Sequence, residues 1–77
     1  MKKKKCPCCG YYTIEGEFYD ICPVCFWEDD PIQRDNIDYT GGANDVSLRE
    51  ARENYKIFKS SDKRSKKLVR EPYDYEK

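Results

Sequence analysis

Five cysteines are the side chains of this chain best suited to chemistry, and all of them lie between residues 6 and 25. Four of them form two Cys-Pro-x-Cys motifs, Cys6 with Cys9 and Cys22 with Cys25, with twelve residues between the motifs. Zn²⁺ favours four ligands in a tetrahedron, and each C-x-x-C turn offers two thiolates on the same side of a tight bend. The pattern therefore predicts one structural zinc ion bound by all four side chains.

The residues around the ligands repeat in part. Pro7 and Pro23 occupy the same place in the two motifs, where each fixes φ after a ligand. Gly10 follows the first motif, and a residue with positive φ there would let the turn close. Phe26 stands at the corresponding place after the second motif, so the second turn lacks the residue that adopts this conformation most easily.

Cys8 is the cysteine without an obvious role. Only Cys6 and Cys9 repeat the spacing and the proline of the second motif, so Cys8 corresponds to Val24. Three interpretations are open: a small, partly buried hydrophobic side chain, a reactive thiol activated by neighbouring lysines, or a ligand that exchanges with Cys6 or Cys9. The lysines, Lys2–Lys5, would also offset the double negative charge of Zn²⁺ with four thiolates.

The size and composition of the chain favour a metal staple. A chain of 77 residues, 39% of them charged, gains little stability from its core alone. An odd number of cysteines argues against a closed disulfide framework, although disulfides among the four paired cysteines are an alternative. No apolar segment follows the basic start, and no run approaches the ~20 apolar residues that span a bilayer. We therefore expect a cytoplasmic protein with no membrane segment.

Short apolar and aromatic segments predict the elements that position the cysteines. Residues 11–14 and 18–21 predict a β-hairpin with Gly16 in its turn. Residues 28–44 predict an ordered loop without helix or strand, in which a Gly-Gly pair favours a tight turn over a phosphate-binding loop.

A helix is predicted to start after Ser47, which forms an S-x-x-E capping box with Glu50. Val46 can act as a hydrophobic staple to the first turn. The apolar face of the helix holds Leu48, Ala51, Tyr55 and Phe58.

The predicted organisation has three parts. Residues 1–5 form a basic N-terminal tail, residues 6–58 the zinc-binding domain, and residues 59–77 a charged C-terminal segment. Two interpretations of the last segment are open. One is a short helix capped by Ser61 or Asp62 that ends near Arg70, before Pro72, and the other is a disordered tail.

An aromatic and acidic cluster follows the second motif, and we predict it as the partner-binding surface: Trp27, Glu28, Asp29 and Asp30. A cation site and a mimic of nucleic-acid phosphate are functional alternatives, and capping of the turn is the structural one. Catalysis is not expected, because the chain has no histidine and four thiolates leave no open position on the metal. We predict no catalytic or cofactor-binding residues apart from the metal ligands.

Several segments together resemble the bacterial cysteine-rich CPCC family: CPCCGYYTI, ICPVCFWEDD, TGGANDVSLREARENY and the later VREP. The resemblance covers most of the chain and is more specific than the cysteine pairs, which would fit any zinc ribbon. It implies a small bacterial or phage-borne protein that binds zinc, and it implies no particular activity.

The sequence thus predicts a small α+β zinc ribbon. A β-hairpin carries the two Cys-Pro-x-Cys turns, called the first knuckle (residues 6–9) and the second knuckle (residues 22–25). An ordered loop, one amphipathic helix and a charged C-terminal segment follow. We predict a non-enzymatic, zinc-stabilised protein-interaction module, with an inhibitor, immunity or antitoxin-like role suggested by size and family. One alternative is a nucleic-acid-associated ribbon that uses Lys2–Lys5 and the C-terminal bases, although the acidic middle of the chain disfavours it. Another is a metal- or redox-responsive protein that acts through Cys8.

Overall fold

The computed structural model describes residues 3–16 and 18–77, so the predictions made for residues 1 and 2 lie outside the described residues. The described part is a small α+β fold with two strands, two α-helices and two 3-10 helices. In chain order these are β1 (Lys4–Lys5), β2 (Tyr12–Ile14), α1 (Pro31–Asp35), α2 (Leu48–Phe58) and the 3-10 helices Lys63–Leu68 and Asp74–Glu76.

The hairpin joins different segments from those predicted. β2 pairs antiparallel with β1, so that Lys4 lies opposite Ile14 and Lys5 opposite Tyr12. The two lysines, predicted as part of a tail, therefore form a strand. The reason is that the first Cys-Pro-x-Cys turn reverses the chain and brings its own two flanks together, which satisfies their backbone groups.

The predicted second strand pairs across the second cysteine motif instead. The Tyr19 N–H donates to the Asp29 carbonyl at 2.8 Å, and the Asp29 N–H donates to the Asp20 carbonyl at 2.9 Å. Ile21 forms an antiparallel bridge with Glu28. Each cysteine motif thus lies at the tip of its own short antiparallel pair.

The prediction of a loop without helix over residues 28–44 is wrong, because α1 lies within it. Asp30 is the N-cap, and its side chain accepts a hydrogen bond from the Ile32 N–H at 2.9 Å. Pro31 occupies the first turn, where its missing N–H has no cost. An N-cap aspartate followed by proline is a start signal, but five residues are too few to show helical periodicity.

Helix α2 begins where the sequence predicts. The Ser47 side chain accepts a hydrogen bond from the Glu50 N–H at 3.1 Å. Leu48 and Ala51 are fully buried, and Tyr55 is half-buried against the core. The helix ends at Lys59, which adopts the left-handed conformation of a C-cap.

We expect Ser47→Ala to lower the free energy of unfolding by about 1 kcal/mol, because a helix-start N–H loses its acceptor. The measurement is chemical denaturation of the metal-loaded protein. Thr40→Ala, at an exposed loop position, is the control and should be neutral. Equal stability of both variants would contradict the capping role.

The C-terminal segment, residues 59–77, contains two 3-10 helices in the structure, Lys63–Leu68 and Asp74–Glu76. Asp62 caps the first 3-10 helix by accepting a hydrogen bond from the Arg64 N–H. Near the end of the chain, the fully buried Glu76 carboxylate accepts hydrogen bonds from both Arg70 guanidinium nitrogens at 2.8 Å. The helix predicted to run to Arg70 is therefore a shorter 3-10 helix.

Glu76→Gln should cost about 2 kcal/mol at neutral pH, because it weakens two charge-assisted hydrogen bonds. Arg70 holds the pKa of Glu76 below its usual value. A lowered folded-state pKa stabilises the fold above the unfolded pKa, about 4.3, and this contribution is lost as pH falls through the folded pKa. The stability gap between wild type and variant should therefore narrow on acidification below about pH 5.

Denaturation of both proteins across this pH range checks the expectation. The matched control is Glu71→Gln, which removes an exposed carboxylate from the same segment and should leave stability unchanged. A difference in stability between wild type and Glu76→Gln that stays constant down to pH 3 would show that the charge of the Glu76 carboxylate does not contribute to stability.

The core is built around the cysteines. Its largest buried side chain is Trp27, and the other buried hydrophobic residues are Cys6, Cys8, Ile14, Cys22, Val24, Cys25, Leu48 and Ala51. Strand β2 contributes Ile14 to this core, and helix α2 contributes Leu48 and Ala51. Among the described residues, no helix has the length and apolar character required to cross a membrane.

Candidate metal centre

The two motifs bring four sulfur atoms together in a closed cluster. The Sγ atoms of Cys6, Cys9, Cys22 and Cys25 all lie within 4.8 Å of one another. The Cys6 and Cys25 sulfurs are 3.6 Å apart, and those of Cys9 and Cys22 are 3.7 Å apart. A tetrahedron with metal–sulfur bonds of about 2.3 Å has edges of about 3.8 Å, so the cluster fits a thiolate-bound metal ion.

The same backbone turn positions both pairs of sulfurs. In the first knuckle, the Cys6 N–H donates to the Tyr11 carbonyl at 2.8 Å and the Gly10 N–H donates to the Cys6 carbonyl at 2.9 Å. In the second, the Cys22 N–H donates to the Trp27 carbonyl at 2.9 Å and the Phe26 N–H to the Cys22 carbonyl at 2.7 Å. The repeated spacing in the sequence therefore corresponds to a repeated geometry.

The residue after each knuckle has a positive φ. Gly10 adopts φ 84°, and Phe26 adopts φ 70° at the equivalent place. The second knuckle thus keeps the geometry of the first without glycine. A left-handed conformation costs a residue with a Cβ roughly 1–2 kcal/mol.

The four thiols are electrostatically coupled. Hydrogen bonding to Cys22 is the main cause that raises the pKa of Cys6, Cys9 and Cys25 above its usual value, and burial adds to it. Hydrogen bonds from the other three, led by Cys25, lower the pKa of Cys22. Four thiolates this close together repel one another unless a cation neutralises them. Because the thiols must lose their protons to bind a metal ion, metal binding here releases protons.

Two residues that were not predicted from the sequence, Thr13 and Arg52, contact the cysteine motifs. The buried Thr13 hydroxyl lies 2.9 Å from the Cys22 sulfur, close enough to donate to its thiolate. Arg52 of α2 donates from Nε to the Pro7 carbonyl at 2.9 Å, which places a positive charge on the first knuckle. No local pattern marks either residue, because Thr13 is nine residues from Cys22 and Arg52 is 45 residues from Pro7.

The C-terminal segment supports the second knuckle. The Ser61 N–H donates to the Cys25 carbonyl at 2.7 Å, and the Arg70 N–H donates to the Pro23 carbonyl at 3.2 Å. The site is therefore held by residues from both ends of the chain.

Comparison with known proteins places this site in a family. The family model described as Cysteine-rich CPCC matches residues 4–76. The chain belongs to the cysteine-rich CPCC family. A search of curated proteins finds no match to it. The family match runs from the first strand of the CPCC protein to the buried Glu76, and so includes the C-terminal segment that supports the second knuckle.

Cys8 of the CPCC protein lies in the core. Its side chain is 8% exposed, and its sulfur is not one of the four in the cluster. Cys8 is one of the groups that raise the pKa of Cys25. This placement favours the interpretation of Cys8 as a small buried side chain.

The predicted partner-binding surface is largely interior. Trp27 is fully buried, Asp29 and Asp30 are each 3% exposed, and Glu28 is half-buried. A partner cannot reach three of these four side chains, so the prediction of this surface is wrong. The structural alternative, capping of the turn, describes Asp30 correctly.

Hydrogen bonds account for the burial of Asp30, and an ion pair accompanies that of Asp29. Asp30 accepts from the Ala43 N–H at 2.9 Å in addition to capping α1, and Asp29 lies 3.6 Å from the Arg34 guanidinium. A Cβ on Gly42 would come within 2.5 Å of Asp30 Oδ2, so glycine is required for this approach. The Gly-Gly turn thus packs against the acidic segment and fixes it.

Proposed function

We propose that the CPCC protein is a zinc-stabilised, non-enzymatic protein-interaction module. The observation that carries the proposal is the closed set of four cysteine sulfurs. Four thiolates fill a tetrahedral Zn²⁺ ion and leave no position for a substrate or a reactive water molecule. When bound, the metal supplies cross-linking of the two knuckles, and the chain supplies the surface around them.

The surface supports an interaction role through its exposed apolar side chains. Phe18 is 58% exposed, Tyr19 52%, Ile21 43% and Leu68 61%, although phenylalanine, isoleucine and leucine are usually buried. Aromatic side chains dominate the energetics of protein interfaces. An inhibitor, immunity or antitoxin-like role would suit a protein of this size, since such proteins act by occupying a surface of their target.

The experiment is affinity capture with zinc-loaded protein, followed by reconstitution of the complex from purified components. We expect a complex of defined stoichiometry by analytical ultracentrifugation, whose formation is lost when the metal is chelated. Failure of every captured protein to form a direct complex would contradict the proposal.

A basic groove supports nucleic-acid binding as a second candidate. Lys59 Nζ lies 5.8 Å from the Tyr55 ring centroid, and Lys66 Nζ lies 5.6 Å from that of Phe58. These residues and Arg70 line a groove of about 230 Å³. Basic and aromatic side chains together suit single-stranded nucleic acid.

Fluorescence anisotropy with a labelled single-stranded oligonucleotide tests this candidate. Nucleic-acid binding should weaken steeply with salt and in a Lys59→Glu variant, because phosphate contacts release counterions. The absence of binding at low salt would eliminate it.

A further inference from the structure

The second cysteine turn accounts for the backbone conformation of Phe26, but it does not account for the phenylalanine side chain at this position. The equivalent residue of the first knuckle is Gly10, which adopts the same positive φ without strain. Among the described residues, the half-buried hydrophobic side chains that pack against the core are Cys9, Tyr11, Ile37, Val46 and Tyr55. Phe26 is not one of them. Phe26 therefore has a strained backbone conformation, and its half-buried ring is not among the side chains that pack against the core.

Phe26 lines a groove. The groove has a volume of about 310 Å³ and is bounded by the loop before α2 on one side and the first 3-10 helix on the other. Ile21, Ala43, Val46 and Leu68 supply its other apolar side chains. Ile21 and Leu68 are 43% and 61% exposed, so they are available to a partner.

The polar lining of the groove is acidic. Three carboxylates, those of Glu28, Asp45 and Asp62, face one guanidinium, that of Arg64. Arg64 is already paired with both aspartates, since it forms an ion pair with Asp45 and lies 3.1 Å from Asp62. The net negative charge at the groove is therefore available to attract a basic partner.

We propose that this groove binds a basic segment of a partner protein, anchored by an apolar side chain beside Phe26. The inference rests on the proposed interaction function and specifies its surface. Strained residues persist where function requires them, and an aromatic side chain in a pocket is a common energetic centre of an interface. The acidic lining selects a partner with lysine or arginine next to its apolar anchor.

The test uses the zinc-loaded full chain and three synthetic peptides of ten residues. The first alternates lysine and leucine, the second replaces every lysine with glutamate, and the third replaces every leucine with serine. NMR titration of ¹⁵N-labelled protein should show the first peptide perturbing the amides of Ile21, Phe26 and Leu68. The other two peptides should bind at least about tenfold more weakly, which corresponds to 1.4 kcal/mol.

Phe26→Gly separates binding from stability. The variant should unfold at the same temperature as wild type or higher, because glycine relieves the strain, and it should bind the Lys-Leu peptide at least about tenfold more weakly. Leu68→Ser, at an exposed position, should weaken binding in the same way. Ile57→Ser is the matched control, because Ile57 is 71% exposed on α2 and does not line the groove.

Several results would overturn the inference. These are equal binding of the Glu-Leu peptide, perturbations centred on the basic groove of Lys59 and Lys66, or full binding by Phe26→Gly. Concentration-dependent dimerisation through the groove would show that a second copy is the occupant. If a purified partner still binds Phe26→Gly and Leu68→Ser with unchanged affinity, the interaction function stands and this groove is not its surface.

Discussion

Chelation of the metal should unfold the whole CPCC protein rather than loosen its knuckles alone. Structural zinc in small domains contributes roughly 10–16 kcal/mol of apparent binding energy, whereas a core of this size rarely supplies more than about 3–5 kcal/mol. The cysteines are also the centre of that core, since four of its nine buried hydrophobic residues are the cluster cysteines Cys6, Cys22 and Cys25 with their neighbour Cys8. Without the ion, charge repulsion among thiolates, or protonation of the thiols, replaces the strongest contacts of the fold.

Metal analysis should find one zinc ion per chain, and a chelator titration should follow Trp27 fluorescence and near-UV circular dichroism. Trp27 is fully buried beside the second knuckle, so its signal reports the core directly. Both signals should be lost together and should return when Zn²⁺ is added back. A chelated protein that keeps its near-UV signal, or a protein with no bound metal, would contradict the structural role.

The cysteine cluster and α2 were predictable from sequence because their signals are local. A doubled C-x-x-C motif specifies its geometry within five residues, and Ser47 caps its helix three residues away. The strand pairing was harder to predict. The segment of β2 could pair with the residues before the first cysteine motif or with those before the second. The choice depends on how each cysteine turn closes, and the alternation of hydrophobic residues carries no information about that closure.

The structure of the C-terminal segment was left open, and the acidic cluster was predicted as a surface, for a different reason. Their burial depends on partners far along the chain: Ser61 bonds to Cys25, and Asp30 accepts a hydrogen bond from Ala43. Composition marks such residues as solvated, because charged side chains are rarely buried unless paired. The pairing itself is visible only once the fold brings the donors together.

Cys9→Ser and Cys8→Ser should differ sharply, although the two positions are adjacent. Cys9→Ser removes a soft thiolate from a four-sulfur set, and we expect loss of the metal and with it the fold, because zinc then lacks a ligand that the hydroxyl does not replace. Cys8→Ser leaves the set complete. We expect Cys8→Ser to lower the free energy of unfolding by about 1–3 kcal/mol, because it places a hydroxyl in the core without a hydrogen-bond partner.

Zinc content and near-UV circular dichroism of the two variants, measured side by side, test the assignment. Cys8 is the remaining cysteine of the chain and adjoins Cys9, so it is the thiol available to substitute for a lost ligand. Retention of zinc by Cys9→Ser, together with its loss from Cys8→Ser, would therefore make Cys8 the true fourth ligand. Because Cys8 is buried in the core while the Cys9 sulfur lies 3.7 Å from that of Cys22, the geometry favours Cys9.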